Sequence, residues 1–177
     1  MSSDAPPEVL FSAAEIAARV DAMAEDIAAG LGRDLIAVPV MTGAVVFAAD
    51  LMRALWYHGV AVEVMPIRLR SYGVSYHAEI DPQLALGLDK RIDGMTALLI
   101  DGVCDAGHTL ERAVAHLKEH GAARIASAVL IDKPQRREAP VKPDYIGFTA
   151  DDVFVAGYGM DAAGRLRHLP YVGVVKA

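Results

Sequence analysis

The stretch best equipped for chemistry is Leu98 to Leu110, which reads LLIDGVCDAGHTL. An apolar run leads into Asp101, small residues, Asp105, Ala106-Gly107 and His108-Thr109, and then into a helical pattern. That order suits a sugar phosphate. Gly107 lets the backbone adopt conformations that expose successive amides. The start of the following helix adds unpaired N–H groups and a positive dipole end, and Thr109 adds a hydroxyl. The two acids repel a phosphate, so they serve the other half of such a ligand. A carboxylate can accept hydrogen bonds from ribose hydroxyls, and an acid one turn further on can handle a proton. His108 reads as a solvent-facing or phosphate-adjacent residue in preference to a general base, and Cys104 as a small buried filler in preference to a nucleophile. Other phosphate devices are missing: no G-x-G-x-x-G follows a strand, and no G-x-x-x-x-G-K-[ST] exists.

Secondary structure must carry these residues. Ser12-Ala13-Ala14-Glu15 is a capping box that predicts a helix to about Gly30, with Ile16, Val20, Met23 and Ile27 on one face. Leu35 to Val40 reads as a buried strand, Val45 to about His58 as a helix and Val60 to Leu69 as a strand. Ser71 to Gln83 is polar and aromatic and reads as a long mobile loop. Thr96 to Ile100 is a wholly apolar strand of the kind covered on both faces. Asp101 to Thr109 then reads as a loop, Leu110 to His120 as a helix and Arg124 to Ile131 as a strand, followed by shorter strands and turns. Strands alternating with helices predict an α/β domain with a mostly parallel central sheet flanked by helices. Ligands of such sheets bind beyond the carboxyl ends of the strands, where the Asp101–Thr109 segment is expected.

Composition narrows the function classes. The chain has 177 residues, 54% of them hydrophobic, and a formal net charge of −6. Its mean hydropathy is +0.29. One domain with a full core is expected, without the charge balance of a nucleic-acid binder. Cys104 is the only cysteine, so neither an intrachain disulfide nor a cysteine-built zinc site is available. His58, His77, His120 and His168 lack metal-ligand spacing. Asp50, Arg53 and Glu63 interrupt the most apolar region, so no membrane segment is expected. Met1 to Val9 has no apolar signal core, which predicts a cytoplasmic protein.

Leu98 to Thr109 resembles the phosphoribosyl pyrophosphate signature of type I phosphoribosyltransferases: apolar residues, acids, two apolar residues, then Asp-x-Gly-x-Thr. Further stretches resemble the purine pocket and hood of the hypoxanthine-guanine branch of that family. They are Ile131-Asp132-Lys133-Pro134 with Arg136-Arg137, Pro143 to Phe148, Val153 to Asp161, and Arg167 with Leu169-Pro170-Tyr171 and Val172 to Val174. Ser71-Tyr72-Gly73 resembles the family's flexible loop and Thr42-Gly43 its pyrophosphate loop. The resemblance runs from about Leu35 to Val175. It implies a type I phosphoribosyltransferase fold over residues 1–177, with a core of about 35–157 and a small hood of about 158–177, to which the N-terminal segment is a candidate contributor.

The resemblance also implies an activity: transfer of a 5-phosphoribosyl group from phosphoribosyl pyrophosphate to hypoxanthine or guanine, with Mg2+ in the site. It implies that Asp101 holds the ribose hydroxyls and lies near the metal, and that Asp105 moves the proton of purine N7. Asp105, Ala106, Gly107, His108 and Thr109 would cradle the 5′-phosphate. Lys133 would donate to the 6-oxo group, Phe154 stack on the base and Val155 meet it through its backbone. Asp161 would reach magnesium, Arg167 and Thr42-Gly43 would bind pyrophosphate, and Ser71 and Tyr72 would close over the reacting centre. The sequence departs from the family at Gly102, where a second acid is usual, at Thr42 and His108, where lysine is common, and at Ala106. Those departures leave a weakly active or non-catalytic nucleotide-binding protein as the alternative. The apolar helix at Val45 to Tyr57 suggests a homodimer or homotetramer.

Overall fold

Ser12 opens the first helix as its sequence predicts. Its hydroxyl accepts the Glu15 N–H at 3.3 Å, and the Glu15 carboxylate accepts the Ser12 N–H at 2.9 Å. In the computed structural model, which describes residues 6–70 and 83–176, that helix is α1 (Ala13–Leu31), and it follows a short strand, β1 (Glu8–Phe11). The order continues with β2 (Asp34–Met41), α2 (Val45–Tyr57), β3 (Ala61–Val64), β4 (Ile67–Arg70), β5 (Gln83–Leu86), β6 (Thr96–Cys104), α3 (His108–Glu119) and β7 (Arg124–Asp132). A single 3-10 turn at Pro134–Arg136, then β8 (Tyr145–Thr149), β9 (Val155–Ala156) and β10 (Val172–Val174), complete it.

The main sheet runs β5-β4-β2-β6-β7-β8, with β3 also against β2. The pairings of β2 with β3, β4 and β6, of β6 with β7 and of β7 with β8 are parallel, and among the described residues only edge strand β5 runs antiparallel. The sheet is covered on both faces. Leu35, Ala37, Leu98 and Ile100 pack with α1 and α2, while Ile36, Val38, Ala97 and Leu99 pack with α3. Continuous apolar strands follow from that double burial. A second, antiparallel sheet joins β1, β10 and β9.

Three boundaries around the site differ from expectation. The strand expected over Val60 to Leu69 is two strands, interrupted at Pro66, which has no N–H to give the ladder. The strand expected to stop at Ile100 continues to Cys104, because Val103 and Cys104 still pair with Ile131 and Asp132. Asp101 and Gly102 are therefore strand residues. The loop shrinks to Asp105–Gly107, and α3 begins at His108 instead of Leu110. Among the described residues no helix is long and apolar enough to cross a membrane.

Candidate active site

The β6–α3 turn is built around Gly107. Its φ of +95° is left-handed, and it caps α3 without any side-chain bond. A methyl there would come within 2.8 Å of Val141 Cγ2 and 3.0 Å of Arg137 Cδ, so glycine is required on both counts. The Ala106 carbonyl, on the back of the turn, accepts the N–H groups of Glu138 and Ala139 at 2.9 and 3.0 Å. The helix ladder starts with Glu111 N–H to the Gly107 carbonyl at 3.0 Å, so the amides of His108, Thr109 and Leu110 precede the first intrahelical bond. These amides suit an anion at the helix N-terminus. His108 Nε2 lies 3.1 Å from Glu138 Oε2, which makes it a paired side chain at the rim.

Asp101 stands at the carboxyl half of β6. Its Oδ1 accepts the Gly102 N–H at 2.7 Å. Burial pushes its carboxyl up to about 7, against the smaller opposing effect of that hydrogen bond. Protein atoms crowd the group although part of its surface stays open to the site. The missing second acid has a steric counterpart. A Cβ at Gly102 would lie 3.0 Å from the Gly43 carbonyl oxygen and 3.1 Å from Met160 Cγ. Gly159, at φ +99°, meets the same carbonyl at 2.6 Å from its would-be Cβ. Three backbones thus converge: the end of β6, the Thr42-Gly43 turn after β2, and the Gly157–Met160 turn. The Met41–Thr42 peptide is cis.

Asp105 follows β6 directly and faces the turn after β7. Lys133 is buried, donates from Nζ to the Val153 carbonyl at 2.8 Å and approaches Asp105 Oδ2 at 3.7 Å. Arg136 Nε lies 2.5 Å from Asp105 Oδ1 and Arg136 Nη1 lies 2.7 Å from Asp152 Oδ1. The Nε contact is off the line of the N–H bond. Asp105 Oδ1 is therefore buried beside a cation, with no hydrogen-bond partner among the described residues. Arg137 ties the same corner together through Asp132, the Asp105 carbonyl and Cys104 Sγ. Burial pushes the Cys104 thiol up to about 12, which suits a filler and excludes a thiolate at neutral pH.

The last part of the site hangs from β9. Val155 is buried and Phe154, just before it, is 44% exposed. Arg167 donates to the Gly159 carbonyl at 2.8 Å and pairs with Asp161 Oδ1 at 2.6 Å, while Asp161 Oδ2 accepts the Gly164 N–H at 2.7 Å. The residues expected to bind pyrophosphate and metal thus satisfy one another here. Ser71 and Tyr72 lie outside the described residues. Sequence reasoning gave Arg136 no role and passed over Asp152. Both are exposed, and their only signal was the Arg-Arg pair close to Lys133.

These features sit at the carboxyl ends of neighbouring strands β2, β6 and β7, where open α/β sheets bind ligands. The phosphoribosyl transferase domain family matches residues 9–163. Hypoxanthine phosphoribosyltransferase of Escherichia coli (strain K12) is 36% identical over 171 residues, 95% of this chain and 94% of that protein. Hypoxanthine-guanine phosphoribosyltransferase of Bacillus subtilis (strain 168) is 34% identical, covering 96% and 93%. Among solved structures, a hypoxanthine-guanine phosphoribosyltransferase from Bacillus anthracis superposes with a TM-score of 0.88 at 29% identity, over 96% of this chain and 98% of that one. The Trypanosoma cruzi hypoxanthine phosphoribosyltransferase in complex with the product IMP gives 0.88 at 28%, over 99% and 97%. With the carboxyl-end site and these matches over almost its whole length, the chain belongs to the phosphoribosyltransferases, in the hypoxanthine-guanine branch of that family.

Proposed function

We propose that this protein is a purine salvage enzyme, which transfers the 5-phosphoribosyl group from phosphoribosyl pyrophosphate to a 6-oxopurine, hypoxanthine or guanine, and releases pyrophosphate. The observation that carries the reading is the Asp105 carboxylate just beyond the end of β6, held at Oδ1 by Arg136 and partly exposed, with Oδ2 beside Lys133. It is an acceptor held ready for a proton that a ligand brings. Purine N9 forms the bond to ribose C1, the bond from C1 to pyrophosphate breaks with its electrons leaving on oxygen, and the N7 proton passes to Asp105.

Lys133 has three donors, of which the Val153 carbonyl uses one. Another is available to the 6-oxo group, with Phe154 stacking on the base and the Val155 backbone at its edge. The His108 to Leu110 amides and the Thr109 hydroxyl hold the 5′-phosphate, and Asp101 holds the ribose hydroxyls. Arg167, with the Thr42-Gly43 turn, neutralises the departing pyrophosphate.

Among the described residues no group of three or more His, Cys, Asp or Glu stands together as a metal cage. That fits Mg2+, which takes one or two carboxylates and fills its shell with phosphate oxygens and water. Asp101 and Asp161 are the carboxylates that would hold it, and it would neutralise charge on the leaving pyrophosphate. The protein acts in the cytoplasm, as a buried, free Cys104 suits. It works as a homodimer or homotetramer. The support is an apolar groove of about 430 Å3 on α2 and β3, lined by Met52, Trp56, Tyr57, Val62 and Val64, where Trp56 is 72% and Tyr57 85% exposed. Light scattering on the purified protein should return a multiple of the 18.8 kDa chain mass, and a monomer would remove the assembly from the reading.

The activity is tested with phosphoribosyl pyrophosphate, magnesium and each base offered separately. Hypoxanthine and guanine should turn over. Adenine, whose 6-amino group is a donor facing the Lys133 donor, should lose about 1–3 kcal/mol, roughly 5- to 150-fold in kcat/KM. Equal use of adenine would refute the role of Lys133. Binding of nucleotide without turnover of any 6-oxopurine would make the protein a binding module.

A further inference from the structure

Two cations reach Asp105, and each also grips one short segment on the far side of the base pocket. Lys133 approaches Asp105 Oδ2 at 3.7 Å and donates to the Val153 carbonyl at 2.8 Å. Arg136 lies 2.5 Å from Asp105 Oδ1 and 2.7 Å from Asp152 Oδ1. The Asp152-Val153 segment runs straight into Phe154 and Val155. Two parallel bridges therefore join the acid to the strand that carries the base contacts. The two differ in what else they must do. Lys133 turns a donor to the base during the proposed reaction, so its hold on the segment is shared. Arg136 has no such second task, and its planar fork can span two carboxylates at once, which a lysine ammonium cannot do with the same fixed geometry.

We infer that Arg136 is a positioning residue: it straps the Asp152–Val155 segment to Asp105 and holds that carboxylate through Oδ1, leaving Oδ2 to receive the purine proton. The inference rests on the proton-accepting role proposed for Asp105. Its geometric core is the division of the carboxylate: Arg136 covers Oδ1 at 2.5 Å, while the side chain as a whole keeps part of its surface open and Oδ2 stands 3.7 Å from Lys133. Arg136 is 39%, Asp105 40% and Asp152 62% exposed at the side chain. Solvent screens such pairs, so little of the fold's stability depends on them. The consequence falls on alignment of acid and base, where small displacements are costly.

The test is a set of steady-state measurements on the full chain with magnesium, phosphoribosyl pyrophosphate and hypoxanthine. Arg136→Gln should lower kcat roughly 10- to 100-fold and raise the KM for hypoxanthine. The KM for phosphoribosyl pyrophosphate should change less than about threefold, and the melting temperature should stay within about 4 °C. Arg136→Lys should recover part of the loss, since charge returns without the fork. Asp152→Asn should cost less than Arg136→Gln and add almost nothing on top of it. In the Asp105→Asn background, Arg136→Gln should cost under about twofold, because the group it positions is gone. Unchanged kcat in Arg136→Gln overturns the proposal, and so does a loss that persists in full in the Asp105→Asn background. A parent inactive on every 6-oxopurine sinks the functional reading and this proposal with it. An active parent with additive losses sinks this proposal alone.

Discussion

Asp101 and Asp105 differ by four positions and by almost everything else that governs a carboxyl group. Asp101 lies within β6, and burial holds its carboxyl up near 7. Asp105 lies beyond the strand end between Lys133 and Arg136. Their substitutions should therefore separate. Asp105→Asn keeps the shape and removes proton acceptance, so kcat should fall about 10²–10⁴-fold with the KM for phosphoribosyl pyrophosphate little changed. Asp101→Asn should act mainly on that KM. Comparable turnover in Asp105→Asn and the parent would take the proton-handling role away from this residue. Gly102 belongs to the same scale. With the Gly43 carbonyl 3.0 Å from where its Cβ would stand, the second acid of the family gives way to close contact between β6 and the Thr42-Gly43 turn.

At the scale of elements, α3 is tied to the segment after β5 by one histidine. His116 is buried, and its Nε2 accepts the Leu88 N–H at 3.1 Å, which requires that nitrogen to be unprotonated. Burial depresses its pKa below 6.5, and the neighbouring His120, 4.1 Å away between ring centroids, acts in the same direction. The unfolded chain then binds this proton more readily than the folded one. Stability from the group is full above about 6.5 and is lost as pH falls through that value towards the depressed one. Melting temperatures taken across roughly pH 8 to 5 should fall at the acid end. The drop should be smaller in His116→Gln, whose side-chain carbonyl accepts the same N–H without titrating. An identical profile in both proteins would exclude His116 as the source. Much of this layout was legible in the sequence. The capping box set the start of α1, and apolar runs such as Leu35 to Val40 announced strands covered on both faces. The end of β6 was not legible, because an acid and a glycine read locally as loop while the pairing of Val103 and Cys104 with Ile131 and Asp132 is a tertiary fact. Strand β1 was hidden for the same reason: its partner Val172–Val174 lies at the other end of the chain, and register between distant strands leaves no local pattern. In the site, the Asp101–Thr109 turn could be named from residue types, and Lys133 from the family resemblance. Arg136 and Asp152 could not, since their pairing depends on a turn and a strand entry that only the fold brings together.

For the whole molecule, the small sheet is where the chain closes on itself. Glu8 pairs with Val174, and Gly173 pairs with Ala156, next to the Val155 that the base is proposed to meet. Forming that sheet closes a loop spanning almost the entire sequence, at an entropic cost that must be met before any contact is gained. The strands that repay it are short, two residues in β9 and three in β10. The large sheet carries nine-residue strands β6 and β7 in full register. Opening should therefore be graded. Amide hydrogen exchange at Val155, Ala156 and Val172 to Val174 should be faster than at Leu98 to Ile100 and Ala128 to Leu130, and a purine nucleotide should slow the first set much more than the second. Equal protection in both would mean a single cooperative unit. Graded protection would mean that the part of the molecule that chooses the base exists only while the two ends of the chain stay zipped, whereas the part that holds the phosphate outlasts their separation.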